Sequence, residues 1–234
     1  MKSFKLALIA AAATVATSGV AFAQDDTAPA FSFNVGVASD YVFRGVSQTS
    51  ESPQVFGGAD VSMGQFYGGV WASNVDFGDD TDAEVDLYAG FKPTVGPVSL
   101  DLGVIYYGYL NEPSNANWAY WEAKAAGSVA VGPGTLGAAV YYSPDFTGGG
   151  DDDDALYYEV NGSIPLAEKV TASAAIGHQD VDVPGDFSYN TWNVGVGFAL
   201  NDHLGLDLRY HDTDEHSYGK GFDSRGVISL KATF

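Results

Sequence analysis

The sequence predicts an all-β protein, a transmembrane antiparallel β-barrel of about twelve strands with short periplasmic turns and longer acidic extracellular loops. Three observations predict it. Polar and apolar side chains alternate along most of the chain, short and long connections alternate strictly between the alternating segments, and the chain closes on the strand RGVISLKATF, ending at Phe234. In that last strand Gly226, Ile228, Leu230, Ala232 and Phe234 share one face, while Arg225, Ser229, Lys231 and Thr233 share the other. One face suits lipid and the other water.

The first residues carry a separate signal. Lys2 and Lys5 precede an apolar run from Leu6 to Val20, followed by the small-x-small pattern Ala21-Phe22-Ala23. This reads as a secretory signal peptide over residues 1–23, with a short periplasmic segment at 24–30 and a barrel over 31–234. The run is too short and too rich in Ala and Thr for a membrane anchor. Beyond it no long apolar stretch occurs, so any membrane crossing has to use strands.

Strands are expected at Phe31 to Gly45, Gln54 to Met63, Gln65 to Phe77, Ala83 to Pro93, Pro97 to Leu110 and Trp118 to Val131. The second half continues with Thr135 to Ser143, Asp154 to Leu166, Glu168 to Asp180, Tyr189 to Leu200, His203 to Thr213 and Arg225 to Phe234. Tight turns fall at Gly64, Thr94 to Gly96, Gly132 to Gly134, Ala167 and Asn201-Asp202. Longer polar segments fall at Val46 to Pro53, Gly78 to Asp82, Asn111 to Asn117, Pro144 to Asp153, Val181 to Ser188 and Asp214 to Ser224. Such asymmetry belongs to even-stranded outer-membrane barrels.

Charge parity gives a second test, because residues two apart point to the same face. Asp40 with Arg44, Glu84 with Asp86 and Lys92, Glu122 with Lys124, Asp207 with Arg209, and Arg225 with Lys231 agree within each strand. The opposite parity holds Val85, Leu87, Ala89 and Phe91, or Leu204, Leu206, Leu208 and Tyr210. Alternation alone leaves open a soluble sandwich or lipocalin-like barrel with its apolar side inward. The membrane reading is favoured by a polar parity of Gly, Ser, Thr and Asn with paired charges, and by scarce lysine. Aromatics near strand ends, at Tyr41 and Phe43, Tyr106 to Tyr109, Trp118 to Trp121, Tyr141 and Tyr142, and Tyr157 and Tyr158, are expected to form interfacial girdles.

Composition narrows the function. Loss of Lys2 and Lys5 takes the formal net charge from −20 to −22, which excludes a general nucleic-acid binder. Cysteine is absent, so no disulfide framework holds the fold. Hydrophobic residues make up 46% of the chain, which argues against disorder despite 29 glycines.

The segment SDYVFRGVSQT from Ser39 to Thr49, followed by Pro53-Gln54 and Gly57-Gly58, resembles the TorF family of porins, earlier catalogued as a proteobacterial conserved hypothetical family. The resemblance runs over nearly the whole mature chain and is most specific in this opening segment. It implies an outer-membrane barrel with a transport role, and neither a substrate nor a catalytic residue.

The candidate lumen or constriction residues are Asp40, Arg44, Asp60, Glu84, Asp86, Lys92, Asp101, Glu122, Lys124, Glu159, Asp207, Arg209, Arg225 and Lys231, with Arg44 the first choice for a constriction charge. In a pore they would set a transverse field that screens solutes by charge. Alternatively they would pair into a plug filling the bore, and for twelve strands both readings stand. Acidic loops would raise the local cation concentration. The run GGGDDDD, with Asp151, Asp152, Asp153 and Asp154, could loosely hold a divalent ion bridging to lipopolysaccharide, but lacks the spacing of a calcium loop.

No enzyme motif is found. His178, His203, His211 and His216 lack zinc-ligand spacing, and there is no phosphate loop or Gly-x-Ser-x-Gly. The expectation is a porin passing small hydrophilic solutes, without cofactors, in contact with outer-membrane lipid and lipopolysaccharide. Phe234 would be the signal to the barrel assembly machinery. A closed structural or adhesin barrel is the first alternative, and an outer-membrane lipase with His178 as candidate is the second.

Overall fold

Alternating sequences form pleated strands when one face is apolar and the other can be wetted, and a closed ring of them leaves no unpaired edge. The computed structural model describes residues 28–114, 116–146, 153–183 and 187–234. Twelve long strands make one closed antiparallel sheet: β1 (Ala30–Ala38), β2 (Gln54–Met63), β3 (Phe66–Asn74), β4 (Ala83–Phe91), β5 (Val98–Leu110), β6 (Tyr120–Val131), β7 (Gly134–Ser143), β8 (Ala155–Ala167), β9 (Val170–Val181), β10 (Phe187–Ala199), β11 (Leu204–Thr213) and β12 (Arg225–Thr233). Each pairs with its sequence neighbours, and β1 returns to β12 with Asn34 opposite Thr233 and Ala38 opposite Ser229. Phe234 extends this seam, since its N–H donates to the Phe33 carbonyl at 2.9 Å and its carbonyl accepts from the Phe33 N–H at 3.0 Å.

The closed ring settles which way the alternation faces. Phe31, Phe33, Val35 and Val37 of β1, Leu87 of β4, Leu102 and Val104 of β5, and Leu208 of β11 all lie exposed on the outer surface. Asp60, Asp101, Lys124, Glu159, Asp207, Arg209 and Lys231 take the other parity and face the bore. Among the described residues no helix is long and apolar enough to cross a membrane. Gly64 and Gly132 adopt positive φ in the two-residue turns after β2 and β6, where a side chain would strain the backbone.

One expected strand is shorter than the sequence suggests. Asp40 and Arg44 keep the polar parity and Tyr41 and Phe43 the apolar one, yet β1 ends at Ala38. The chain then turns into the bore as a small hairpin, Val42–Phe43 paired with Val46–Ser47. Arg44 and Gly45 form its tip with φ of 44° and 86°, the two positive values that a tight two-residue hairpin turn demands. Segment 46–53, expected as an outside loop, is thus partly an inside element.

The aromatic girdle needs a similar correction. Tyr106, Trp121, Tyr142 and Tyr158 are exposed on the outer face. Their neighbours Tyr107, Tyr120 and Tyr157, together with Tyr41, Phe43, Tyr109 and Tyr189, are buried inside the loop end of the barrel. Period-two geometry splits adjacent aromatics, one ring outward and one inward, whereas Tyr41 and Phe43, two apart, both turn inward.

Candidate functional site

The hairpin crosses the bore because both its base and its tip find partners on the wall. At the base, Asp40 Oδ1 accepts from Ser47 Oγ at 2.7 Å and Thr49 Oγ1 at 2.8 Å, while Asp40 Oδ2 accepts from Arg225 of β12 at 2.9 Å. Tyr41 donates its hydroxyl to Glu84 of β4 at 2.7 Å. At the tip, Arg44 Nη2 donates to Glu122 of β6 and Nη1 to Gln179 of β9, both at 2.8 Å. Its guanidinium lies 4.4 Å from the Phe43 ring centroid, 4.3 Å from that of Tyr157 and 5.1 Å from that of Tyr141. Gly45 packs so closely on Thr191 and Thr213 that any Cβ would collide with them.

This end of the bore is dry. Glu84 is 0% exposed, Glu122 1% and Asp86 4%, and Gln48 and Thr49 of the hairpin are fully buried. Glu84 accepts the Tyr41 and Tyr109 hydroxyls, and Glu122 accepts Arg44 and the Tyr107 hydroxyl at 3.1 Å. Asp86 Oδ1 has no hydrogen-bond partner. Charge-assisted bonds of this kind are the strong ones, and an unpaired buried carboxylate oxygen is costly. Phe222, from the loop at 214–224, lids the cluster together with Val46 and Tyr189.

Toward the turn end the bore is wetter. The Lys124–Asp101 ion pair, at 2.7 Å, keeps about a fifth of each side chain exposed. Tyr67 donates to Asp101 at 2.6 Å, and Lys92 sits 4.2 Å over the Tyr67 ring. Tyr88 donates to Asp60 at 2.5 Å, while Tyr157 and Asn161 both donate to Glu159. Arg209 forks onto Asp207 and also reaches Asn193 and Ser173. Lys231 is in electrostatic reach of Asp60.

Inward glycines keep these long side chains against the wall. Tyr67 covers Gly90, Tyr88 covers Gly69, Tyr157 covers Gly177 and Arg209 covers Gly195, and at each glycine a Cβ would overlap the side chain above it. Lying over glycines, these side chains pack close to the wall backbone.

The fourteen candidates therefore fall into two tiers. Arg44, Glu84, Asp86 and Glu122 gather in the dry neck, with Asp40 and Arg225 at the hairpin base. Asp60, Lys92, Asp101, Lys124, Glu159, Asp207, Arg209 and Lys231 line the wetter chamber. Arg44 is docked on Glu122 and Gln179 and stacked among rings, so it fastens the hairpin across the bore. Sequence reading missed Gln179, Tyr141 and Tyr157, although their inward parity marked them. Asp151 and Asp152 lie outside the described residues, Asp153 uses its carbonyl to accept the Phe146 N–H, and Asp154 accepts from Tyr142. Among the described residues no group of three or more His, Cys, Asp or Glu is arranged to hold a metal ion.

The histidines are dispersed. His178 contacts Asn190, His203 the Thr233 carbonyl and His216 Asp212, while His211 faces the bore near Arg209 and Arg225.

Solved structures share this architecture at low identity. The KdgM porin aligns with a TM-score of 0.58 and 10% identity over 87% of this chain and 99% of the other. The NanC porin aligns with a TM-score of 0.55 and 11% identity over 87% and 98%. No curated protein matches the sequence. At the level of sequence families, residues 23–234 match the description "Bacterial protein of unknown function (Gcw_chp)", and the chain belongs to that family.

Proposed function

We propose that this protein is an outer-membrane channel of the porin type, passing small hydrophilic solutes by diffusion with a preference for cations, and that the hairpin at 40–48 is its closing element. The observation that carries the reading is the two-tier bore: a charged, part-exposed chamber with its aromatic side chains held to the wall, beneath a dry neck occupied by one hairpin. The apolar outer belt fits lipid, the loop end would face outward toward lipopolysaccharide, and the short turns would face the periplasm. The TorF resemblance of SDYVFRGVSQT and the shared fold of the KdgM and NanC porins support the same reading. The cation preference follows from Glu84 and Glu122 opposed by Arg44 alone in the neck, and from acidic loops carrying Asp76, Asp79, Asp80 and Asp82. Phe234 at the seam would serve recognition by the assembly machinery.

The dense tethering of the hairpin favours a second reading, a permanently closed structural barrel. Single-channel recording in planar bilayers separates them. The unaltered chain is expected to give rare openings, and a chain with Val42–Ser47 replaced by a short Gly-Ser link is expected to give frequent ohmic steps. If the shortened chain is silent while folded, with unboiled and boiled samples running apart on gels, the structural reading replaces the channel. The channel reading assigns no catalytic step, so sustained fatty-acid release from lipid in detergent would overturn it.

A further inference from the structure

The partners of the Arg44 guanidinium come almost entirely from the wall. Glu122, Tyr141, Tyr157 and Gln179 stand on four successive strands, β6 to β9, and only Phe43 comes from the hairpin. The wall part is held in place independently of Arg44, since Tyr157 donates to Glu159 at 2.9 Å and lies flat over Gly177. A carboxylate, an amide oxygen and two ring faces form a receptor for a planar cation. In the same neck one oxygen of Asp86 is buried and unpartnered. Arg44 reaches the cage from a backbone conformation that non-glycine residues rarely adopt.

We propose that this wall cage is a recognition site for guanidinium-bearing solutes, with Arg44 as a tethered stand-in that such a solute displaces. The proposal deepens the channel reading and rests on it for its physiological meaning, while binding itself can be measured without conduction. A solute that takes the cage competes with a side chain already in place, so its apparent affinity for the unaltered chain is lowered by the fraction of time the cage is free.

The test is calorimetry on the refolded mature chain in detergent, with methylguanidinium as probe and neutral methylurea as control. Arg44→Ala is expected to bind methylguanidinium at least about tenfold more tightly than the unaltered chain. Methylurea is expected to bind neither, and adding Glu122→Gln to Arg44→Ala should abolish the gain. Equal binding of methylurea, or no gain in a variant that retains heat-dependent gel mobility, overturns the proposal. Should Arg44→Ala fail to fold, Arg44→Gln serves in its place. On the unaltered chain, methylguanidinium must accelerate hydrogen exchange at the Gln48 amide, and unchanged exchange also overturns the proposal. Binding in a chain that never conducts would sink the channel and leave the cage standing, whereas conduction without binding would do the reverse.

Discussion

Arg44 and Glu122, 78 residues apart in sequence, meet at 2.8 Å across the interior of the barrel, with side-chain exposures of 4% and 1%. A pair this dry is fastened by geometry more than by net energy, because desolvation offsets much of its attraction. Breaking it from one side is a different matter. Glu122→Ala strands a buried guanidinium and is expected to cost about 3–5 kcal/mol of hairpin docking. Hydrogen exchange of the amides at 41–48 should rise accordingly. Glu122→Gln keeps an acceptor oxygen and is expected to be milder.

The flat-lying rings of the chamber give a second prediction. Gly90→Ala places a methyl group where the Tyr67 ring lies, so the ring must swing toward the axis and release Asp101. Overpacking of this kind costs about 1–3 kcal/mol. A lower urea midpoint is expected, together with a lower conductance when the change is made in the hairpin-shortened chain. Tyr67→Phe, which loses the hydrogen bond and keeps the ring, should leave the conductance close to its starting value.

The barrel was legible because its outer and inner faces differ at every second residue, and a ring of strands has no other way to satisfy both. Leu204, Leu206, Leu208 and Tyr210 against Asp207 and Arg209 state the answer locally. The hairpin was not legible, for the same reason inverted. Asp40 and Arg44 keep the charged parity and Tyr41 and Phe43 the apolar one, so the strand reads on past Ala38 with only Ser39 and Val42 out of phase, and the inward fold shows only in three dimensions. The signals present were Gly45, suited to the second position of a two-residue turn, and the polar run Ser47-Gln48-Thr49. Polar residues there would have read as solvated, yet Gln48 and Thr49 are fully buried. Pairings such as Arg44 with Gln179 depend on which strands face each other across the bore, and parity carries no information about that.

Face assignment can be tested by placing one charge on each parity. Leu208 lies exposed near the middle of β11 and Ser229 faces the bore from β12. Leu208→Arg is expected to cost about 2–4 kcal/mol in lipid vesicles. Ser229→Arg, pointing into a wetted chamber, should cost no more than about 1 kcal/mol. Reversible urea unfolding in short-chain phosphatidylcholine vesicles measures both. A larger cost for Ser229→Arg than for Leu208→Arg would mean that the two faces had been exchanged.

Phe234 completes the seam through its paired backbone bonds with Phe33, and its ring stacks on His203 with centroids 5.8 Å apart. Deleting it removes two hydrogen bonds, each worth about 0.5–1.5 kcal/mol net. The truncated chain is expected to refold more slowly and to unfold at lower urea, with wall strands distant from the seam keeping their exchange protection.

The loop at 214–224 ties its stability to pH through two groups outside the strands. His216 Nε2 contacts Asp212 Oδ1 at 2.9 Å, and that hydrogen bond holds the imidazole above its ordinary value of 6.5. Partial burial would raise Asp214, but hydrogen bonds from the Asn190 side chain and backbone outweigh it and lower the group below its ordinary 3.8. A raised histidine contributes stability that is complete below pH 6.5 and lost as the pH rises through its folded value. A depressed aspartate contributes stability that is present above pH 3.8 and lost as the pH falls through its folded value. Both contacts are therefore intact between those limits, and the loop loosens on either side. Because Phe222 of this loop lids the hairpin and Gly221 packs on Val46, loosening also frees the plug. Exchange at 215–222 is expected to be slowest near pH 5, after correction for intrinsic rates, and to rise toward pH 9. His216→Gln should remove the alkaline limb and leave the acidic one.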